Sequence, residues 1–420
     1  MSTPAGSDDA AMQLVTDAAA LLHANGAETS RSIARTRQFG RAFGLDASLR
    51  AGWGVSFVEF RNAAGTPVRW FSGAPRGVGM NRVSAVDAII DGASLRAISV
   101  KGAQDALGTA ARLPDTPTWL FAIACAVGAL GLAVILGLRH PVTGLLIAVS
   151  AGVGAVVRRA IGHGGGNLFW QAGAAACLAG VLGACALKLG LSSSMRLAAV
   201  CPCMVLVPGP HLLNGALDIA ATRISLGFAR LGYAMVILLA IGVGVIAGLG
   251  LGGANLPPDP VGLGIPLWLD MVVAGIVAVC YAAFYSSPRR VLVWPFVTGM
   301  AVHGLHWVAL GIWHVSAPVA SGMACLAAGF ILLPISRRLH LPFTSMGFSS
   351  VVSLMPGVLV FRALSGMFAL LGASGDQAVT LLVATVDDWT TAFATVFFMA
   401  LGLVIPATVY GRLVDREKAQ

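Results

Sequence analysis

Apolar and polar positions divide this chain into two unequal parts. From residue 119 onward, apolar segments follow one another with short polar interruptions. They cover 119–138, 141–157, 167–187, 197–213, 227–250, 265–285, 291–311, 318–335, 346–361 and 387–410. A helix needs roughly 17–25 such residues to cross the hydrocarbon layer. The pattern therefore predicts an α-helical polytopic membrane protein with ten spans. The fourth and ninth segments are the worst defined, being short or broken by Pro and Gly. The stretch 364–386 is apolar too, but Asp376, Asp387 and Asp388 bracket it. It reads as a re-entrant or interfacial piece, with nine or eleven spans as alternatives.

Before residue 119 the period changes. Leu14, Ala18, Leu21 and Leu22 stand at helical spacing, Asn25-Gly26 interrupts, and Glu28, Arg31 and Arg35 then share one face of a second helical run. Residues 53–60 and 66–71 read as short strands joined by a turn from Asn62 to Gly65, and 80–99 returns to a helical pattern. This predicts a small α+β domain over 1–118, with Pro114 and Pro117 as its hinge. The remainder divides into a first transmembrane repeat (119–250), an extracytoplasmic linker (251–264), a second repeat (265–412) and a cytoplasmic tail (413–420).

Composition agrees with this division. The chain is 57% hydrophobic and only 11% charged, against about 25% charged in soluble domains. Nearly half of its 27 basic residues lie in 1–118. Met1 to Ala10 is polar and acidic, without the basic and apolar regions of a secretory signal. The net charge of +9 could suggest nucleic acid, but the basic residues sit at the ends of apolar segments. There they read as topology determinants. With the N-terminal domain in the cytoplasm, the inward turnarounds carry Arg158, Arg159, Arg223, Arg230, Arg289, Arg290, Arg337 and Arg338. The outward side has Arg139, Lys188, Arg196 and Arg362. All seven Cys lie in apolar surroundings and read as packing.

An internal repeat is visible. Val207-Pro208-Gly209 leads to Asn214-Gly215-Ala216-Leu217, and Met355-Pro356-Gly357 leads to Arg362-Ala363-Leu364 at the same offset. Pro141-Val142-Thr143-Gly144 is echoed by Phe296-Val297-Thr298-Gly299. A repeat unit of five spans reverses orientation, so the halves would be inverted copies. Inverted repeats with Pro/Gly-broken segments at matching places point to secondary transporters.

Polar residues inside lipid are expensive and default to functional readings. His211, Asn214 and Asp218 share one helix face just after Pro208-Gly209. Such a break offers backbone groups and a helix end to a zwitterion. Asp218 could hold a proton or pair with an ammonium, or it could lie at the interface beside Arg223. In the second half, Pro356, Gly357 and Arg362 form the matching element. Arg362 could bind a carboxylate or snorkel outward. Asp270 reads as a proton site or an interfacial residue. His303, His306 and His314 lack the Cys, Asp or Glu that would complete a metal set, so no metal and no cofactor is expected. His303 reads as a polar contact lining a pathway. Glu28 and Arg31 form an ion pair in the simplest reading, and a gating pair in the other. No Walker A, GxSxG or HExxH motif occurs, and no enzyme is expected.

Leu21-Leu22-His23-Ala24-Asn25-Gly26-Ala27-Glu28-Thr29-Ser30-Arg31 resembles the opening motif of the threonine/serine exporter family. The likeness continues through Val207-Pro208-Gly209-Pro210 to Asp218, and through Met355-Pro356-Gly357 to Arg362. It implies a soluble N-terminal domain followed by ten spans in two related halves. It also implies export of threonine and serine from the cytoplasm, driven by the proton motive force. Ile33 stands where the family often has an acidic residue.

The expected function is thus proton-coupled antiport of small neutral hydroxy amino acids across the cell inner membrane. Threonine, serine, protons and lipid are the expected partners; nucleic acid is not expected, and a homo-oligomer is open. The alternatives are an exporter or channel for another small metabolite such as a dicarboxylate, a membrane enzyme acting through residues 1–118, and a non-transporting scaffold.

Overall fold

The computed structural model describes residues 5–417 except 62–64, 76, 96–97, 189, 191–194, 255–264 and 339–342. The N-terminal unit starts with α1 (Ala5–Ala24) and α2 (Thr29–Ala42). Gly26, at φ 80°, turns the chain between them, and a side chain there would press on the Gly77 carbonyl. Next come β1 (Asp46–Arg50), β2 (Val55–Arg61) and β3 (Val68–Ser72), an antiparallel sheet in that order, with Leu49 opposite Val58 and Phe57 opposite Trp70. Alternation puts Ala47, Leu49, Val58 and Phe60 into the core. Helices α3 (Met80–Ser94) and α4 (Val100–Ala111) complete the unit.

Two features here differ from the sequence expectation. Strand β1 was not expected, because Asp-Ala-Ser-Leu-Arg has little strand character; its pairing with β2 supplies what local propensity does not. Helix α4 was not expected either; Ser99 caps it by accepting from the Gly102 N–H at 3.2 Å. The turn from Asn62 to Gly65 lies mostly outside the described residues.

Arg31 is also differently partnered. Its guanidinium binds the buried carboxylate of Asp87 on α3 at 2.8 Å, instead of forming an ion pair with Glu28. Arg35 joins Asp87 at 2.7 Å and Asp91 at 2.6 Å, so the basic face of α2 is a clamp onto α3. Two arginines on one buried carboxylate satisfy its oxygens better than a one-turn pair could.

Twelve helices follow: α5 (Thr118–Ile135), α6 (Pro141–His163), α7 (Leu168–Lys188), α8 (Met195–Met204), α9 (Gly209–Ala220), α10 (Ile224–Leu251), α11 (Leu267–Phe284), α12 (Val293–Gly311), α13 (Ala317–Arg338), α14 (Phe343–Val351), α15 (Gly357–Leu370) and α16 (Gly375–Glu417). Among the described residues, eight helices are long and apolar enough to cross a membrane, and up to ten spans result if each of two bent pairs counts as one. The bent pairs are α8–α9, at 58°, and α14–α15, at 53°. They coincide with the two segments that were worst defined in the sequence.

The stretch 364–386 is not a separate element. Its first part ends α15, and from Gly375 it is the beginning of the 43-residue α16. The acidic residues do not break that helix. Asp376 sits in its first turn, where a negative charge is favourable, and Asp388 is paired with Arg362.

The two sets of helices pack alike. Helix α7 packs on α10 as α13 does on α16, α5 on α6 as α11 on α12, and α9 on α10 as α15 on α16. Contacts between the sets are reciprocal: α9 with α16, and α10 with α15. Small residues form the closest seams. A Cβ on Gly248 would run into the Cys177 carbonyl, and one on Gly402 into that of Gly322. Thr143 and Thr298, the threonines of the sequence echo, are both fully buried.

Candidate functional site

Both bent pairs break in the same way. Proline has no N–H, so Pro208 cannot bond the Met204 carbonyl, which instead accepts from the Val207 N–H at 3.3 Å and the Tyr281 hydroxyl at 3.1 Å. Pro208 (φ −78°, ψ 57°) and Pro356 (φ −77°, ψ 47°) each centre an inverse γ-turn. Gly209 N–H donates to Val207 O, and Gly357 N–H to Met355 O, both at 2.8 Å. The breaks face one another. A side chain at Gly209 would touch Val352 and Met355, and one at Gly357 would touch Met204.

Helix α9 carries a buried polar face. Asp218 binds Arg223 at 2.8 Å and the fully buried Arg230 at 3.0 Å. The rest of its shell comes from the N-terminal unit. Thr29 donates its hydroxyl to Asp218 at 3.0 Å, and Arg223 donates to the Ser30 hydroxyl at 2.7 Å. Asn214 donates its amide to the Gly26 carbonyl at 3.3 Å, while its Oδ1 is buried with no partner among the described residues. The opening motif and the α9 motif are thus one constellation in space. His211 packs edge-on against Tyr233.

Glu28 shares a small cavity with Asn214 of α9 and with Phe343 and Gly347 of α14, so the opening motif reaches both bent pairs. Burial raises the Glu28 pKa, opposed by the charges of Arg31 and Arg223. Burial, then Arg230, lowers His23 to about 4.

In the second half, Asp270 meets His303 Nδ1 at 3.1 Å, and His303 Nε2 lies 2.9 Å from the Ser353 hydroxyl. Ser353 stands just before the second break. Arg362 binds Asp388 of α16 at 3.1 Å. Asp218 and Arg362, which the sequence suggested as two poles of one site, therefore each have a counter-charge within their own half. Sequence reasoning missed Ser353 and the roles of Arg230 and Asp388. The last two had served only as a loop charge and as a segment boundary.

A cavity of about 430 Å³ lies between the N-terminal unit and the first break. Arg158, Gln171, Leu206, Pro208, His211 and Tyr285 are among its lining. Only the Pro208–His211 part of this lining was legible as functional.

Similarity to known proteins agrees with these motifs. A family profile of threonine/serine exporters matches residues 13–252, more than half the chain, and a second, described as "Threonine/Serine exporter", matches residues 270–409. The chain belongs to the threonine/serine exporter family. A family relative, the "Probable threonine/serine exporter" of Mycobacterium tuberculosis, is 26% identical over 301 residues. That match covers 69% of this chain and 56% of the relative, so the chain spans little more than half the length of that exporter. No solved structure matches this family member.

Proposed function

We propose that this protein exports small hydroxy amino acids, threonine and serine, from the cytoplasm in exchange for protons. The observation that carries the reading is the meeting of two proline-broken spans beside a buried polar face. Broken spans whose ends meet inside a bundle provide unpaired backbone groups away from lipid, as small-solute transporters require. Family membership supplies the substrate class. The matching packing of the two helix sets and their reciprocal contacts support an inverted repeat.

In this reading Pro208, Gly209, Pro356 and Gly357 shape the crossing point. Asn214 Oδ1 accepts a substrate hydroxyl, and His211 adds a polar wall. Asp270 and His303 form the proton site, because a carboxylate, an imidazole and a hydroxyl in series can pass a proton toward the second break. Asp218 and Arg362 hold the half-helices in place through their ion pairs. Glu28, anchored beside the Arg31 clamp, gates by docking and undocking the opening motif. The N-terminal unit, residues 1–118, faces the cytoplasm of an inner-membrane protein.

Proteoliposomes loaded with labelled threonine, serine or a dicarboxylate test this directly. Threonine and serine efflux should rise when a pH gradient is imposed, and Asp270→Asn should abolish the rise. Efflux of the dicarboxylate alone, or efflux indifferent to pH, would replace the reading with a metabolite exporter or a channel.

A further inference from the structure

Arg158 lies on α6, near its end at His163. Its neighbour Arg159 has an ordinary role: it lies 4.5 Å from the Phe121 ring centroid and donates to the Thr116 carbonyl at 3.0 Å. Arg158 is different. Its guanidinium is 5.2 Å from the Phe284 ring centroid and 5.8 Å from that of Phe121. Its Nε and Nη1 are buried and have no hydrogen-bond partner among the described residues. It also makes no ion pair among them. Asp115, the acidic residue of the cavity lining, is paired with Arg82 at 3.0 Å. Two aromatic rings hold the cation in place without neutralising it. A buried charge with unmet donors is costly, and a ligand anion removes that cost.

The same cavity offers a pole of the opposite sign. Leu206 lines it, and the residue that would donate to the Leu206 carbonyl in a continued helix is Pro210, which has no N–H. The break after α8 thus holds the Leu206 carbonyl without its helical donor, a partial negative charge that suits an ammonium. His211 and Gln171 add polar contacts, and about 430 Å³ accommodates a small amino acid with some of its water.

We propose that this cavity is a zwitterion-binding site in which Arg158 receives the carboxylate and the Leu206 carbonyl, in the break after α8, receives the ammonium. The choice of amino acid as ligand rests on the export reading above; the placement at Arg158 rests on the geometry. The site lies on the approach from the N-terminal unit to the first break, so it would load substrate before transit.

Calorimetric titration of the purified full-length protein in detergent provides the test, with L-threonine and its amino alcohol, which lacks the carboxylate, as probes. Wild type should bind L-threonine at least tenfold more tightly than the amino alcohol. Arg158→Gln should lose that preference, and Arg158→Lys should retain part of it. Thermal melts of each variant establish that it is folded; should Arg158→Gln not fold, Arg158→Lys carries the comparison. Undiminished preference in the folded Arg158 variants would overturn the site while leaving transport untouched. Arg158-dependent binding without threonine flux in proteoliposomes would instead sink the export reading and keep the site. Failure of wild type to bind L-threonine or L-serine would overturn the site as assigned.

Discussion

Asn214 and His23 show how single side chains at the domain contact can be tested. Asn214 uses its amide on the Gly26 carbonyl and leaves its Oδ1 without a described partner. Asn214→Ala should lower threonine export more than protein yield and weaken preference for threonine over valine. A pocket built to bond a hydroxyl discriminates through the polar group left unpaired. Equal losses of flux and folded protein would show that Asn214 only ties the loop down. His23 concerns pH. Its pKa falls from 6.5 to about 4, first through burial and then through Arg230, so the folded chain holds it neutral. The unfolded chain binds the proton first as pH drops, and stability is lost between about 6.5 and 4. At about 1.4 kcal/mol per unit, the full effect is on the order of 3 kcal/mol. Glu28 has the opposite sign, because its raised pKa makes acidification favour the folded form at that carboxyl. Melting temperatures of wild type and His23→Leu, compared between pH 7 and 4.5, isolate the histidine. Wild type should lose more than the variant; parallel curves would refute the assignment.

Among elements, the half-helix pairs are the ones whose sequence predicts a consequence. An alanine at 208 would give Met204 the helical donor that Pro208 withholds, and would relax the γ-turn toward a straight span. Pro208→Ala and Pro356→Ala should therefore yield folded protein with little flux, because the two breaks would no longer shape a crossing point. Export measured per amount of monodisperse protein checks this, and near wild-type flux in both variants would reduce the breaks to packing features. The α7–α10 seam predicts the reverse pattern. Gly248→Leu should reduce folded protein itself, since the Cys177 carbonyl occupies the space of any side chain.

For the whole molecule, the placement of arginines and tryptophans predicts which end of the bundle faces which side of the membrane. Arg159, Arg223, Arg230 and Arg290 all donate to residues in 1–118, so the basic turnarounds cluster around the N-terminal unit. Exposed Trp119 and Trp170 stand at that end of the bundle, while exposed Trp268 and Trp313 begin α11 and follow α12 at the other. Indole rings favour both membrane interfaces, and cytoplasmic loops favour Arg and Lys. Reporter fusions should accordingly place Gly6 in the cytoplasm and Asn255, outside the described residues, beyond the membrane. The opposite result would reverse the direction of transport proposed here.

Sequence alone determined that most of this chain consists of apolar helices, because burial in lipid requires long uncharged segments and internally bonded backbone. It also located both breaks, since proline withholds a donor wherever it stands, and it carried the motifs of the exporter family. It did not show the full length of α16, because acidic residues read as boundaries only until their partners are known, and Asp388 finds Arg362 across two helices. It treated Glu28 to Ser30 and Asn214 to Asp218 as separate motifs, although the fold joins Thr29 to Asp218. It counted Arg158 as a topology charge, and only packing placed that cation between aromatic rings in a cavity. Local chemistry fixes helices and breaks because neighbours in sequence act over one or two turns. Counter-charges and cavities depend on residues far apart in the chain, and only tertiary structure decides which of them meet.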